Sequence, residues 1–248
     1  MIYIAILLIT YSVCKLSLDI HQINYIKGLS ISQQEMDRLS VDQKFINKSN
    51  SYAVHKLYLS MISTLITIVF AYFILLSDGF NIIYSFSEHT GLNAIGENLS
   101  VILIFFISIS IINIPTNYLK TFYIEEKFGF NKMTRILFAR DILITTILSL
   151  VIIGVIFHLF EIIFFTYTNL WWFFLWIMFI LLNILVAYIY PSLIAPIFNK
   201  FERLNDESLN TSIHNLTNKL NFPINDLYVM DGSKRSSHSN AYFSGLFG

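Results

Sequence analysis

The sequence predicts a mainly α, polytopic membrane protein: about five transmembrane helices, followed by the start of a small α+β domain. Three observations carry this reading. Five apolar stretches, roughly 1–18, 57–76, 99–119, 142–160 and 170–190, reach the length of about 20 residues that a helix needs to cross a bilayer. Only 13% of the 248 residues are charged and 55% are hydrophobic, whereas a soluble domain averages about 25% charged residues. All 16 Lys and Arg fall within 15–56, 120–140 and 200–235.

The first stretch resembles a signal peptide in its apolarity. It lacks a basic leading segment and a small-residue cleavage site, so it reads as a retained helix. The fifth, LWWFFLWIMFILLNILVAYIY, carries Trp171 and Trp172 at one end and Tyr188 and Tyr190 at the other. Those are the positions of an aromatic belt. Five spans put the three basic clusters on one side of the membrane. The loops between them carry only acids: Asp78, Glu88 and Glu97 in one, Glu161 near the other. The positive-inside rule makes the basic side cytoplasmic, with the N-terminus outside and the tail after Pro191 inside. A bacterial inner membrane and the endoplasmic reticulum fit equally. The formal net charge of zero argues against a nucleic-acid partner. Cys14 stands alone and can form neither an internal disulfide nor a Cys-rich metal site.

The polar segments have their own organisation. Residues 19–56 are polar and predicted helical. Residues 121–141 form a charged linker with Glu125, Glu126, Lys127, Lys132 and Arg135, and Gly129 serves as a helix C-cap or turn. Arg140 and Asp141, at the entrance of the fourth span, read as an interfacial pair that snorkels, or else as substrate-facing groups. Residues 1–190 make the membrane part and 191–248 a separate tail. In the tail, Asn205 or Asp206 caps a helix to about Leu220, whose Leu209, Ile213, Leu216 and Leu220 share one face. Pro223 ends it. DLYVM at 226–230 reads as a strand, Asp231-Gly232 as a turn, and about 237–243 as the second strand of a hairpin. A helix plus a hairpin in about 45 residues buries too little to stand alone, so this is the beginning of a domain.

The search for chemistry is mostly negative. Of the histidines at 21, 55, 89, 158, 214 and 238, none precedes Glu, so HExxH is absent. No two lie three or four apart. There is no phosphate loop and no GxSxG. Ser236, Ser237 and His238 are adjacent, a poor geometry for a nucleophile and its base. His158 lies within the fourth span, as a functional candidate or a neutral hydrogen-bonded group. Asn113 and Asn183 read as interhelical hydrogen-bonding residues. The most polar stretch is SKRSSHSNAYF at 233–243. It is either a solvated loop with Lys234 and Arg235 near lipid headgroups, or an edge that binds an extended peptide by strand addition.

Three segments then carry a resemblance: IEEKFGFNKMT (124–134), PSLIAPIFNKFERL (191–204) and YVMDGSKRSSHSNAYFSG (228–245). With the weaker SLDIHQI (17–23) and SNSYAVHKLYLS (49–60), they resemble the Ste24 family in order and over nearly the whole chain. These are integral-membrane M48-type zinc metalloproteases, the type I CAAX prenyl proteases. The resemblance implies five spans before a cytoplasmic peptidase domain, which would start at 191. It implies zinc-dependent hydrolysis of peptide bonds in prenylated CaaX proteins or other membrane-associated substrates. In such chemistry two His of HExxH and a later Glu hold zinc, and the HExxH Glu is the general base. The catalytic and metal residues number none in this chain, so the resemblance is to the family's N-terminal part, cut before its active site and inactive by itself. The resemblance assigns substrate binding to Asn240 through its side-chain amide and to Ala241 through its main chain. His238 and Tyr242 would orient or pack. The implied partners are a peptide or prenylated protein substrate and the lipid bilayer. The alternative is a non-catalytic multi-pass membrane scaffold or a transporter-like protein.

Overall fold

The computed structural model describes residues 2–89, 92, 94–238 and 241–243. Helices dominate it. In chain order they are α1 (Ile2–Gly28), α2 (Gln33–Leu39), α3 (Gln43–Leu76), α4 (Gly79–Glu88), α5 (Ala94–Leu119), α6 (Arg135–Thr166), α7 (Trp171–Ile189), α8 (Ala195–Phe198) and α9 (Glu207–Lys219). Two strands, β1 (Phe201–Arg203) and β2 (Tyr228–Met230), form a small sheet. Among the described residues five helices are long and apolar enough to cross a membrane: Tyr3–Gly28, Gln43–Leu76, Ile95–Glu125, Arg135–Thr166 and Trp171–Phe198. Each contains most of one predicted stretch but runs beyond it. A helix of 34 residues such as α3 is about 50 Å long, while the hydrocarbon core is about 30 Å thick. Its polar first turns therefore extend past the apolar layer.

Helix starts follow local chemistry. Ser32 and Glu35 form a reciprocal capping box at α2, as this spacing favours. The Asp42 carboxylate accepts the Phe45 N–H at 2.7 Å, and Thr134 Oγ1 accepts the Leu137 N–H at 3.2 Å. Each satisfies a donor that the helix itself leaves open.

The chain divides into two compact units: residues 1–131 with 144–157, and residues 132–143 with 158–248. Helix α6 is continuous, its middle grouped with the first unit and its ends with the second. In the first unit α1 packs along α3 and α4 along α5. Polar contacts pin the first pair. The Tyr72 hydroxyl donates to the Ala5 carbonyl at 3.1 Å. Lys15 pairs with buried Asp19 at 2.6 Å and reaches Ser60 on α3 at 3.4 Å. α5 holds Pro115 in its interior and continues as a π-helical turn over Lys120–Glu125. Pro removes a ladder hydrogen bond, and π-turns insert an extra residue. Asn113 and Asn183 do not act as expected. Their side-chain amides donate to Ile109 and Phe179, carbonyls of their own helices. A short amide finds the carbonyl one turn back more readily than a neighbouring helix.

After the π-turn the chain reverses at Gly129, whose φ is +81°. A Cβ there would touch nothing within 4 Å, so the backbone alone selects glycine. The following turn docks on α3. The Tyr52 hydroxyl donates to Glu125 Oε1 at 2.6 Å, and its ring meets Phe128 and Phe130 edge-on with centroids 5.3 and 5.0 Å away. Lys127 Nζ lies 2.9 Å from His55 Nε2, and His55 Nδ1 lies 2.7 Å from the Ser51 carbonyl. An ammonium only donates and a carbonyl only accepts. In this arrangement Nε2 is placed to accept from Lys127 and Nδ1 to donate to the Ser51 carbonyl.

The second unit follows the prediction in part. Helix α9, capped by Asp206 and spanning Glu207–Lys219, forms as expected. The strand expected at 226–230 forms as β2; among the described residues no second hairpin strand follows it. Its partner is β1, antiparallel, with Phe201 opposite Met230 and Arg203 opposite Tyr228. Asp231 explains the choice. Its carboxylate accepts the Lys200 N–H at 2.8 Å and its own N–H donates to the Lys200 carbonyl at 3.1 Å. Arg203 and Asp226 add an ion pair at 3.4 Å. Gly232–Lys234 then winds into a 3₁₀ turn and carries the chain away from β2. Residues 237, 238 and 241–243 are not strand; 239 and 240 lie outside the described residues. Glu161, expected near a loop, lies inside α6, where it is buried and its Oε2 meets no hydrogen-bond partner.

Candidate functional site

The predicted site residues lie just after the 3₁₀ turn, and the residue that holds their entry point is Arg235. Its Nε donates to Asp141 Oδ2 at 2.7 Å and its Nη2 to Asp141 Oδ1 at 3.0 Å. Nη1 donates to Asn199 Oδ1 at 2.9 Å, and Nη2 also donates to the Phe198 carbonyl at 2.7 Å. Four of the five guanidinium N–H groups are thus engaged. Both side chains of the ion pair are largely buried, 19% exposed for Arg235 and 17% for Asp141. Hydrogen bonding to Asp141 raises the guanidinium pKa further above its usual value. The main chain is held as well: the Lys132 N–H donates to the Arg235 carbonyl at 3.1 Å.

This arrangement corrects two expectations. Arg140 and Asp141 are not a pair. Arg140 reaches the Ile197 carbonyl at 3.4 Å, and both oxygens of Asp141 face Arg235. Of the two basic residues read as lying near lipid headgroups, Arg235 is engaged by Asp141, and Lys234 Nζ binds Asp231 Oδ2 at 2.7 Å. That bond to Lys234, with the Lys200 N–H, holds the Asp231 carboxyl below its usual pKa. Sequence reasoning missed the role of Asp141 and Asn199. The available signal was a carboxylate placed at the mouth of an apolar span, where an unpaired charge is costly.

The predicted substrate-binding residues are placed as follows. His238 is exposed, and its N–H donates to Ser236 Oγ at 3.2 Å. Ala241 is exposed. Tyr242 is half exposed, its hydroxyl 3.9 Å from Met230 Sδ. Phe243 packs edge-on against Phe222, with centroids 5.3 Å apart. Asn240 lies outside the described residues. The stretch 241–243 thus lies beside the end of β2. Among the described residues no three His, Cys, Asp or Glu side chains gather as a metal ion requires. These residues do not fit a zinc site.

Comparison with known proteins agrees with this architecture. Residues 29–200 match the family described as CAAX prenyl protease N-terminal, five membrane helices. CAAX prenyl protease 1 of Saccharomyces cerevisiae is 43% identical over 138 residues, covering 55% of this chain and 30% of the relative. A CAAX prenyl protease 1 homolog of Arabidopsis thaliana is 34% identical over 245 residues, covering 93% of this chain and 55% of the relative. The crystal structure of S. mikatae Ste24p superposes with a TM-score of 0.89 at 29% identity, covering 98% of this chain and 58% of that one. The chain therefore spans about half the length, or less, of these curated relatives. With five apolar helices, and with residues 29–200 matching the family, the chain belongs to the CAAX prenyl protease (Ste24) family and corresponds to its N-terminal part.

Proposed function

We propose that this chain supplies the membrane part and the substrate-pairing segment of a zinc metalloendopeptidase that cleaves prenylated CaaX proteins or other membrane-associated peptides. The observation that supports it is the family match over residues 29–200, together with the superposition of 98% of the chain on Ste24p. In this reading residues 1–190 hold the enzyme in the bilayer and 191–248 begin its peptidase domain. Asn240 and Ala241 bond the substrate backbone, while His238 and Tyr242 orient or pack against it. Zinc, when bound by HExxH and a later Glu, would supply the activated water. No such residues stand in this sequence, so the chain by itself hydrolyses nothing. The basic clusters put the N-terminus outside and the tail in the cytoplasm, in a bacterial inner membrane or the endoplasmic reticulum.

A chimera tests this. The chain is joined to the remaining C-terminal part of the S. cerevisiae relative and assayed on a prenylated CaaX peptide. Chelator-sensitive cleavage by the chimera and none by the chain alone is the expected result. Cleavage by the chain alone, or none by a chimera that elutes as a folded monodisperse protein, overturns the reading.

A further inference from the structure

We propose that the lysines gathered at the polar end of α3 form a docking surface for the headgroup of an anionic phospholipid. The surface lies wholly within the first unit, and it depends neither on the peptidase reading nor on which face of the membrane it occupies. Four ammonium groups there rest on aromatic rings. Lys56 Nζ lies 5.0 Å from the centroid of Tyr52, Lys48 Nζ 5.4 Å from Phe130, Lys127 Nζ 5.8 Å from Phe128 and Lys27 Nζ 5.6 Å from Tyr58. Tyr52 meets both Phe128 and Phe130 edge-on, so Lys48, Lys56 and Lys127 surround one cluster of rings. All four lysines are exposed, and among the described residues none of them stands in an ion pair. Lys127 meets His55 Nε2 and Lys27 meets the Tyr58 hydroxyl, neither of which is a carboxylate. Glu125 accepts the Tyr52 hydroxyl at 2.6 Å, and Glu126 joins no ion pair among the described residues.

Charge and place select the occupant. Like charges gathered without a counter-charge repel one another, and a phosphate among them removes that cost. The apolar stretch of α3 begins at Leu57, directly after Lys56. A helical side chain leans toward the helix N-terminus, here away from the apolar layer. Lys56 Nζ accordingly sits over Tyr52, five positions and about 7 Å ahead of Leu57 along the axis. The headgroup layer on each face is about 5–8 Å thick, so lipid phosphates are the anions at that depth. A zwitterionic headgroup brings a cation of its own toward the same ammonium groups, whereas an anionic one does not. The rings favour binding further: a cation held over a ring face is ordered beforehand, so less side-chain freedom is lost when the phosphate arrives. Lys48, about 14 Å ahead of Leu57 along the helix, reaches only the outer edge of this layer.

The test uses the full chain in detergent micelles and reads the binding of phosphatidylserine and phosphatidylcholine by native mass spectrometry. The variants are Lys56→Gln/Lys127→Gln, the charge-retaining Lys56→Arg/Lys127→Arg, and Lys44→Gln/Lys219→Gln, which removes the same charge from exposed lysines elsewhere. One lysine at a lipid surface changes binding about fivefold, so the first pair should weaken phosphatidylserine binding about 25-fold. Phosphatidylcholine binding should stay as it is, and the arginine pair and the control pair should keep the wild-type affinity for phosphatidylserine. Equal weakening in the control pair, or none in the first pair, overturns the proposal. Should the first pair fail to fold, Lys56→Gln and Lys48→Gln decide singly: the proposal requires the larger loss at Lys56, and equal or absent losses overturn it. Displacement of phosphatidylserine by millimolar inorganic phosphate, beyond that by chloride at equal ionic strength, marks a site for the free anion and overturns the lipid as occupant. Lysine-dependent capture of an acidic peptide without any preference for phosphatidylserine overturns it as well.

Discussion

At residue scale, carboxylates decide most of the local geometry. Asp231 is the clearest case because one side chain serves two tasks. It holds the strand entry at Lys200 and it neutralises Lys234. Its pKa is lowered in the folded protein, first by Lys234 and then by the Lys200 N–H. A lowered folded pKa means that the stabilisation is present above the unfolded carboxyl value, about 3.9, and is lost as pH falls through the lower folded value. Asp231→Asn is therefore expected to cost about 0.5–1 kcal/mol at neutral pH, the range of a solvated ion pair. The difference between variant and wild type should shrink as pH falls through that lowered folded value, as thermal melts across pH in detergent would record. A gap that stays constant with pH would rule out the carboxylate as its source. Gly129 is the opposite kind of residue, chosen for what it lacks, and its left-handed backbone was readable from its place after a charged helix end.

At the scale of elements, the π-turn at Lys120–Glu125 deserves its position. It follows Pro115 in the same helical run, and the residue it inserts shifts the face on which later side chains emerge. Glu125 emerges facing Tyr52, 73 positions earlier in the chain. That hydrogen bond, with the rings of Phe128 and Phe130, ties the end of the helical run to α3. Replacing Tyr52 by Phe or Glu125 by Gln should each destabilise the first unit by about 1–3 kcal/mol, because the partner keeps a part-buried polar atom. The double variant should cost clearly less than the two together, as contacting residues do. Additive losses in a denaturant series would show that the two groups act separately. None of this was visible in the charged run IEEKFGFN, which reads as a linker when taken alone. The helical period continued through it, and only the docking of its rings showed that it is a packed turn.

At the scale of the whole molecule, the arrangement of charge makes a topological claim that labelling can check. In a Cys14→Ser background, which removes the exposed native thiol, cysteines at Ser85 and Thr168 should react with a membrane-impermeant maleimide from outside. Those at Ser49 and Ser212 should react only after permeabilisation. The reverse pattern, or a split within either pair, would overturn the assigned orientation. The number of long apolar helices, the cap at Asp206 and the helix that it opens were legible in the sequence. Each depends on residues within a few positions of one another, through hydrophobic run length, capping chemistry and helical period. What the sequence left open was every polar pairing across distance. Asp141 lies 94 positions before Arg235, and nothing in either neighbourhood names the other. The strand Tyr228–Met230 was foreseen, but its pairing with the distant Phe201–Arg203 was not, because local reading favours the shorter loop. Tertiary packing brought in Phe201–Arg203, since α9 returns the chain to where Lys200 and Asp231 exchange hydrogen bonds. Local propensity thus set which segments are helix or strand, and folding in three dimensions decided which of their polar groups would meet.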